Sequence, residues 1–138
     1  MSGNDQISHE PIVCVVDDDS LIRNSTQRLI QSLGFRAEAF ASAEEFLSAG
    51  YLEEAACLIL DVRMPGMNGI ELQQQLASRH HEIPIIFITA YEDEGVRALA
   101  IREGAVAVLI KPFSEDVLLE AIHVAFSPPS QGLRRDRS

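Results

Sequence analysis

Short apolar runs separated by amphipathic stretches are the main pattern of this chain. Four runs rich in Val, Ile and Leu occupy residues 13–16, 57–60, 85–88 and 106–110, and each ends at a polar residue. Continuous apolar runs of this length are typical of strands that are buried on both faces of a parallel sheet. We also predict a strand at residues 36–40, which brings the number of strands to five.

Helical spacing of apolar residues is found between the strands. The first helix is predicted at about residues 20–33 and ends at Gly34. Its apolar face comprises Ile22, Leu29, Ile30 and Leu33. A second, short helix is predicted to begin with a capping box made by Ser42 and Glu45 and to end at Gly50.

Three further helices complete the alternation. Asn68 with Glu71 is predicted to cap the third, the fourth is predicted at residues 94–103, and Ser114 is predicted to cap the fifth. Their predicted inward positions are Leu72 and Leu76, then Val96, Leu99 and Ala100, then Val117, Leu118, Ala121, Ile122 and Ala125. Five strands alternating with five helices predict an α/β fold of three layers with right-handed crossovers. The pattern alone does not fix the strand order.

Composition limits the classes of function. A chain of 138 residues suits one domain. Its net charge of −10 argues against a sequence-independent grip on nucleic acid. No apolar run is long enough to span a bilayer, and we predict a cytoplasmic protein without membrane contact. Cys14 and Cys57 lie within strand runs and are expected to be buried, reduced thiols.

The polar strand ends indicate a metal site. Asp17, Asp18 and Asp19 follow the first run, and Asp61 follows the run at 57–60. Because the carboxyl ends of parallel strands meet at one edge of a sheet, these acids are expected to converge there. Mg²⁺ prefers such oxygen ligands, and Asp17 or Asp18 together with Asp61 would supply them. For Asp19 we favour a helix cap.

The residues at the strand ends also indicate phosphoryl transfer. A carboxylate such as Asp61 can attack phosphorus and form an acyl phosphate. Thr89 and Lys111 end the last two runs, and a hydroxyl and an ammonium group there would contact the transferred phosphoryl oxygens. Each residue alone has an ordinary structural explanation, but their occurrence at successive strand ends favours the functional one.

These strand ends resemble the receiver domain of bacterial two-component response regulators. The motifs that carry the resemblance are Val16-Asp17-Asp18-Asp19, the sequence LDVRMPGMNG from Leu60 to Gly69, Thr89-Ala90, and Lys111-Pro112-Phe113. The resemblance covers residues 11–126 and is strongest to receivers of LuxR-type transcription regulators, in which LDVRMPG and KPF are typical. Residues 1–10 are then a flexible N-terminal segment, and residues 127–138 a basic tail containing Pro and Gly.

The resemblance implies a flavodoxin-like (CheY-like) fold of strand order 2-1-3-4-5. It implies a signalling switch, not an enzyme, that assists its own phosphorylation and dephosphorylation. Asp61 would accept a phosphoryl group from a sensor histidine kinase, a histidine phosphotransfer protein or a small donor such as acetyl phosphate. Asp18, Asp61 and the backbone carbonyl of Arg63 would ligate Mg²⁺, and Asp17 would help through water.

The resemblance also implies how the signal leaves the site. Lys111 would hold the phosphoryl group and precede a cis peptide bond to Pro112. Thr89 would move toward the phosphate and change the face formed by the fourth helix, fifth strand and fifth helix. A downstream protein would bind there, or a dimer would form on phosphorylation.

One position departs from the family pattern. Val108 stands where the fifth strand of a receiver usually has a Tyr or Phe that responds to the hydroxyl at the Thr89 position. We hypothesise that Tyr91, two residues after Thr89, shields the acyl phosphate or takes part in signalling.

Three other functions fit parts of the pattern. A phosphatase of the haloacid dehalogenase type would use Asp17 and Asp19 as nucleophile and acid, but it leaves Asp61 and its Pro-Gly loop unexplained. A phosphorylation-independent interaction module would not need Asp18, Asp61 and Lys111 together. A flavin-binding protein is disfavoured, because the first strand ends in acids rather than in a Gly-rich phosphate loop.

Overall fold

The computed structural model describes residues 11–126, so the predictions for residues 1–10 and 127–138 lie outside the described residues. Five parallel strands form one sheet of order β2-β1-β3-β4-β5. The strands are β1 Ile12–Val16, β2 Arg36–Phe40, β3 Ala55–Asp61, β4 Ile85–Thr89 and β5 Ala107–Ile110. This order confirms the one that the family resemblance implied, and β3 begins two residues earlier than the apolar run predicted.

Five helices alternate with the strands. They are α1 Ser20–Ser32, α2 Ala43–Ser48, α3 Gly69–Ser78, α4 Glu94–Arg102 and α5 Glu115–Ala125. Each begins at a polar cap, because the free N–H groups of a first turn need an acceptor. The caps are Asp19, Ser42, Asn68, Asp93 and Ser114. The alternation confirms the predicted three-layer α/β architecture.

Two apolar cores lie on opposite faces of the sheet. One contains Cys14, Phe46, Leu72 and Phe87, and the other contains Cys57 with the inner side of α5. Both thiols are free and fully buried, as predicted. Burial raises the pKa of each thiol to about 12, so both stay protonated and unreactive at neutral pH.

Two local predictions were wrong in detail, and a third was confirmed only in part. Ser42 caps α2, but the Glu45 carboxylate accepts from the backbone N–H of Ala41 rather than from that of Ser42. Val117 is 44% exposed and does not belong to the inner face of α5. Of the inward positions predicted for α4, Ala100 is fully buried, Val96 is half-buried and packs against the core that contains Phe87, and Leu99 is half-buried.

Within residues 11–126, none of the helices combines the length and apolar character needed to cross a membrane.

Candidate functional site

The carboxyl edge of the sheet brings the predicted residues together. Asp17 directly follows β1, Asp61 ends β3, Thr89 ends β4 and Lys111 directly follows β5. The side chain of Asp17 is fully buried, and Asp61 and Thr89 are 5% and 4% exposed. Asp18, in contrast, is exposed to solvent. Four separate chain segments therefore meet because parallel strands end at the same edge.

Lys111 lies between the two buried carboxylates. Its Nζ is 3.3 Å from Asp17 Oδ2 and 3.6 Å from Asp61 Oδ2. The peptide bond from Lys111 to Pro112 is cis, as the resemblance implied. A single ammonium group compensates only one of the two negative charges, so the cluster keeps a net negative charge when both carboxylates are ionised.

Backbone groups hold the two carboxylates in place. Asp17 Oδ1 accepts from the N–H of Asp19 at 2.9 Å, and Asp61 Oδ1 accepts from the N–H of Arg63 at 3.2 Å. Arg23 of α1 also donates to the carbonyl oxygen of Asp17 at 2.9 Å, an anchor that the sequence pattern gave no reason to expect. These bonds leave Oδ2 of each acid directed to Lys111.

The pKa of Asp61 is raised from 3.8 to about 7. Burial is the largest cause, because removal from water disfavours the charged form, and the negative charge of Asp17 adds to it. Lys111 and the N–H of Arg63 act in the opposite direction and lower the pKa. Ionisation of Asp61 is costly at this position. A nearby cation would stabilise its anionic form.

The donor set fits a hard divalent cation. One carboxylate oxygen from each of Asp17, Asp18 and Asp61 can be chosen so that all three lie within 4.8 Å of one another. Mg²⁺ takes oxygen ligands and is usually held by one or two carboxylates, with waters and phosphate oxygens completing its shell. The exposed Asp18 leaves the cluster open to solvent on one side, as a site for a hydrated ion and a phosphoryl donor requires.

Asp19 is occupied as a helix cap, as predicted. Its Oδ1 accepts from the N–H groups of Leu21 and Ile22 at 3.0 and 3.3 Å. A phosphatase of the haloacid dehalogenase type would need this carboxylate as its acid. The structure therefore argues against that alternative.

Thr89 lies at the expected strand end, but its hydroxyl group is bound to its own loop. Thr89 Oγ1 accepts from the N–H of Tyr91 and donates to the carbonyl oxygen of Tyr91, both at 3.2 Å. Val108 of β5 lines a small cavity of about 10 Å³ together with Thr89 and Tyr91, which is room for about one water molecule. To donate to a phosphoryl group, this hydroxyl would have to break the bond that it donates to the carbonyl oxygen of Tyr91.

A polar cluster that sequence reasoning missed lies between two loops at this edge. The Arg63 guanidinium lies 5.0 Å from the ring centroid of Tyr91, and its Nη2 is 4.0 Å from Asp93 Oδ2. Arg63 belongs to the acceptor loop, residues 62–68, which joins β3 to α3. Asp93 also caps α4. Asp93 stands three residues before Val96, a spacing typical of a helix cap. The sequence pattern does not predict its contact with Arg63.

Comparison with known proteins agrees with this geometry. The response regulator receiver domain family matches residues 13–123. Nodulation protein W of Bradyrhizobium diazoefficiens is 42% identical over 123 residues, which cover 89% of this chain and 54% of that protein. Response regulator protein TodT of Pseudomonas putida is 41% identical over 114 residues, covering 83% of this chain and 50% of TodT. The chain thus spans about half the length of these curated relatives.

Solved structures show the same fold. The response regulator StyR superposes with a TM-score of 0.79 at 46% identity, over 85% of this chain and 59% of that chain. FixJ-N superposes with a TM-score of 0.77 at 34% identity, over 85% of this chain and 94% of that chain. The chemotaxis protein CheY4 of Vibrio cholerae, at 27% identity and a TM-score of 0.75, shares the architecture as well.

Proposed function

The chain belongs to the response regulator receiver domain family, and from this premise we propose that Asp61 is its phosphoacceptor. Receiver domains of two-component systems are signalling switches, and phosphorylation on an Asp is standard for the family. We place the receiver at residues 11–126. The observation that carries the assignment is the position of Asp61, at the end of β3 and 3.6 Å from Lys111 Nζ.

Transfer begins with attack of an Asp61 carboxylate oxygen on the phosphorus of a phosphohistidine. The new O–P bond forms as the P–N bond breaks, and the imidazole leaves with the bonding electrons and takes up a proton from solvent. Lys111 neutralises charge on the phosphoryl oxygens, and Thr89 donates a hydrogen bond to one of them. The main-chain N–H of Arg63 keeps Oδ1 of Asp61 oriented.

Mg²⁺ is the cofactor that this donor set supports. Asp18, Asp61 and the backbone carbonyl of Arg63 would hold it, with Asp17 acting through water. When bound, Mg²⁺ would neutralise charge on the carboxylates and the phosphoryl oxygens. The raised pKa of Asp61 supports this proposal, because the anion that must attack phosphorus is costly in the absence of a second cation.

The output is proposed to pass through Thr89 to the face formed by α4, β5 and α5. The same groups would assist both phosphorylation and dephosphorylation, with a sensor histidine kinase or a histidine phosphotransfer protein as donor. A downstream protein, or a second copy after phosphorylation, is the partner we expect on that face. Relatives such as the transcriptional regulatory protein TdiR of Thauera aromatica support an output in transcription, and the LDVRMPG and KPF phrases support the LuxR type.

The location of the protein and its remaining contacts stay predictions. We expect it in the cytoplasm, without direct binding to nucleic acid or to a membrane. These expectations come from composition and from the family.

The proposal is tested by incubating the chain with acetyl phosphate and Mg²⁺ and measuring its intact mass. We expect one phosphoryl group on the unsubstituted chain and none on Asp61→Asn or in the presence of EDTA. Glu53→Gln, which changes an exposed carboxylate elsewhere, is the matched control and should be labelled normally. Failure of the unsubstituted chain to form an adduct, with both acetyl phosphate and a histidine kinase as donors, would contradict the proposal.

A further inference from the structure

The acceptor loop is tied to helix α2 by a hydrogen bond between distant parts of the sequence. The backbone N–H of Met67 donates to Glu44 Oε2 at 3.0 Å, across 23 residues. At the other end of the loop, the N–H of Arg63 is held by Asp61 Oδ1, and the side chain of Met64 is buried in the core. The segment that carries Arg63 is therefore anchored on both sides.

Helix α2 gives Glu44 a fixed base. Ser42 caps the helix, and Glu45 accepts from the N–H of Ala41 just before it. Ala43 and Phe46, on either side of Glu44 in sequence, are fully buried. The cap and the core contacts fix the backbone at Glu44, and the hydrogen bond from Met67 then sets the position of its exposed carboxylate.

Gly66 allows the Glu44 carboxylate to approach the loop. Its φ of +74° lies in the left-handed region, which glycine adopts without strain. A Cβ at this position would lie 3.0 Å from Glu44 Oε2. Any side chain at position 66 would press against the Glu44 carboxylate, which accepts from Met67. The close contact between loop and carboxylate therefore depends on the glycine.

We propose that Glu44 is a positioning residue for the cation site. By holding Met67, it fixes the acceptor loop so that the backbone carbonyl of Arg63 is in place before Mg²⁺ binds. Groups that hold metal ligands in place affect metal affinity, and Glu44 would act through the loop that carries Arg63 rather than through a bond to a ligand. This inference rests on the proposed function and adds a residue to it that touches neither the cation nor the phosphoryl group.

The Glu44 carboxylate also adds a negative charge, and charge alone attracts cations. The two effects are separable, because Glu44→Gln removes the charge and keeps an oxygen that can accept from Met67. Glu44→Ala removes both, and Ala is a good helix former, so α2 should persist. Glu53→Ala removes the same charge from an exposed position outside α2 and serves as the control.

The test is titration calorimetry of Mg²⁺ into the 138-residue chain and its variants. We expect Glu44→Ala to raise the Kd for Mg²⁺ about tenfold. Glu44→Gln and Glu53→Ala should stay within about twofold of the unsubstituted chain, because the hydrogen bond is kept in both. Hydrogen exchange of the Met67 amide should be faster in Glu44→Ala only.

The outcomes separate this inference from the proposed function. An unchanged Kd in Glu44→Ala, beside clear Mg²⁺ binding by the unsubstituted chain, would overturn the positioning role and leave the proposed function standing. Equal weakening by Glu44→Ala and Glu44→Gln would assign the effect to charge and also overturn it. Absence of Mg²⁺ binding by the unsubstituted chain would contradict the cation site itself.

Discussion

At the scale of single residues, Asp61 is the acid of the site for which burial most clearly opposes ionisation. Its pKa of about 7 lies above its ordinary value of 3.8, so between these values the folded chain holds a proton that the unfolded chain has lost. The free energy of unfolding therefore falls as pH rises through this range. Below pH 3.8 Asp61 is protonated in both the folded and the unfolded state. Above about pH 7 the full cost of ionising Asp61 in the folded state lowers the free energy of unfolding.

Asp61→Asn should remove this pH dependence. In EDTA we expect the variant to be more stable than the unsubstituted chain by up to about 4 kcal/mol at pH 8, the free-energy equivalent of the raised pKa of Asp61, with little difference at pH 4. Urea unfolding at several pH values measures this. Glu53→Gln should leave the slope unchanged. The same slope for Asp61→Asn and the unsubstituted chain would show that Asp61 is not the titrating group.

The sequence suggests that Tyr91 shields the acyl phosphate or takes part in signalling. Tyr91 is 62% exposed, and its ring lies beside the Arg63 guanidinium at the edge of the site. The ring would help to exclude water from the acyl phosphate, so Tyr91→Ala should shorten the lifetime of the acyl phosphate. Tyr91→Phe keeps the ring and should behave normally. If Tyr91→Ala changes neither the lifetime nor partner binding, Tyr91 has no part in the switch.

The residue types of the site were predictable, and their contacts were only partly so. Asp17, Asp61 and Lys111 could be placed together because parallel strands end at one edge. The orientation of the Thr89 hydroxyl toward Tyr91 could not be predicted, because it depends on the local geometry of a loop. The contact between Arg63 and Asp93 joins two loops and leaves no periodic signal.

At the scale of helices and strands, the caps explain why the boundaries were predictable. Asn68 and Glu71 form a reciprocal capping box at the start of α3, in which each side chain accepts from the backbone N–H of the other. The box also ends the acceptor loop. Burial was less predictable than position, as the exposed Val117 and the weakly buried α4 show.

Asn68→Ala should lower the free energy of unfolding by about 1 kcal/mol, the usual cost of losing such a cap. Denaturant unfolding measures the loss. Asn24→Ala, at an exposed position within α1, is the matched control and should be neutral or slightly stabilising, because Ala favours helix interiors. Equal effects of the two substitutions would mean that the capping box contributes nothing.

At the scale of the whole molecule, strand order was the feature that patterning could not supply. Alternating strands and helices are compatible with several orders, and only the family resemblance chose 2-1-3-4-5. The hydrogen bond from Met67 to Glu44 was also beyond sequence reasoning, since 23 residues separate donor and acceptor. The acidic cluster also depends on the whole fold, because the fold is needed to bring its carboxylates together.

Mg²⁺ should therefore stabilise the folded chain as a ligand does. A ligand that binds only the folded state at 100 times its Kd adds about 2.7 kcal/mol to the free energy of unfolding. We expect Mg²⁺ to raise the Tm of the unsubstituted chain and of Glu53→Gln, at ionic strength matched with KCl. Asp18→Asn and Asp61→Asn should show little rise. A full rise in both Asp variants would place the ion elsewhere.

We expect Asp61, and not another acid of the cluster, to receive the phosphoryl group. Borohydride reduces an aspartyl phosphate to homoserine, so it marks the reacting residue permanently. We predict that the chain, treated with acetyl phosphate and Mg²⁺ and then reduced and digested, shows homoserine at position 61 by peptide sequencing in the mass spectrometer. Homoserine at position 17 or 18 instead would contradict the account.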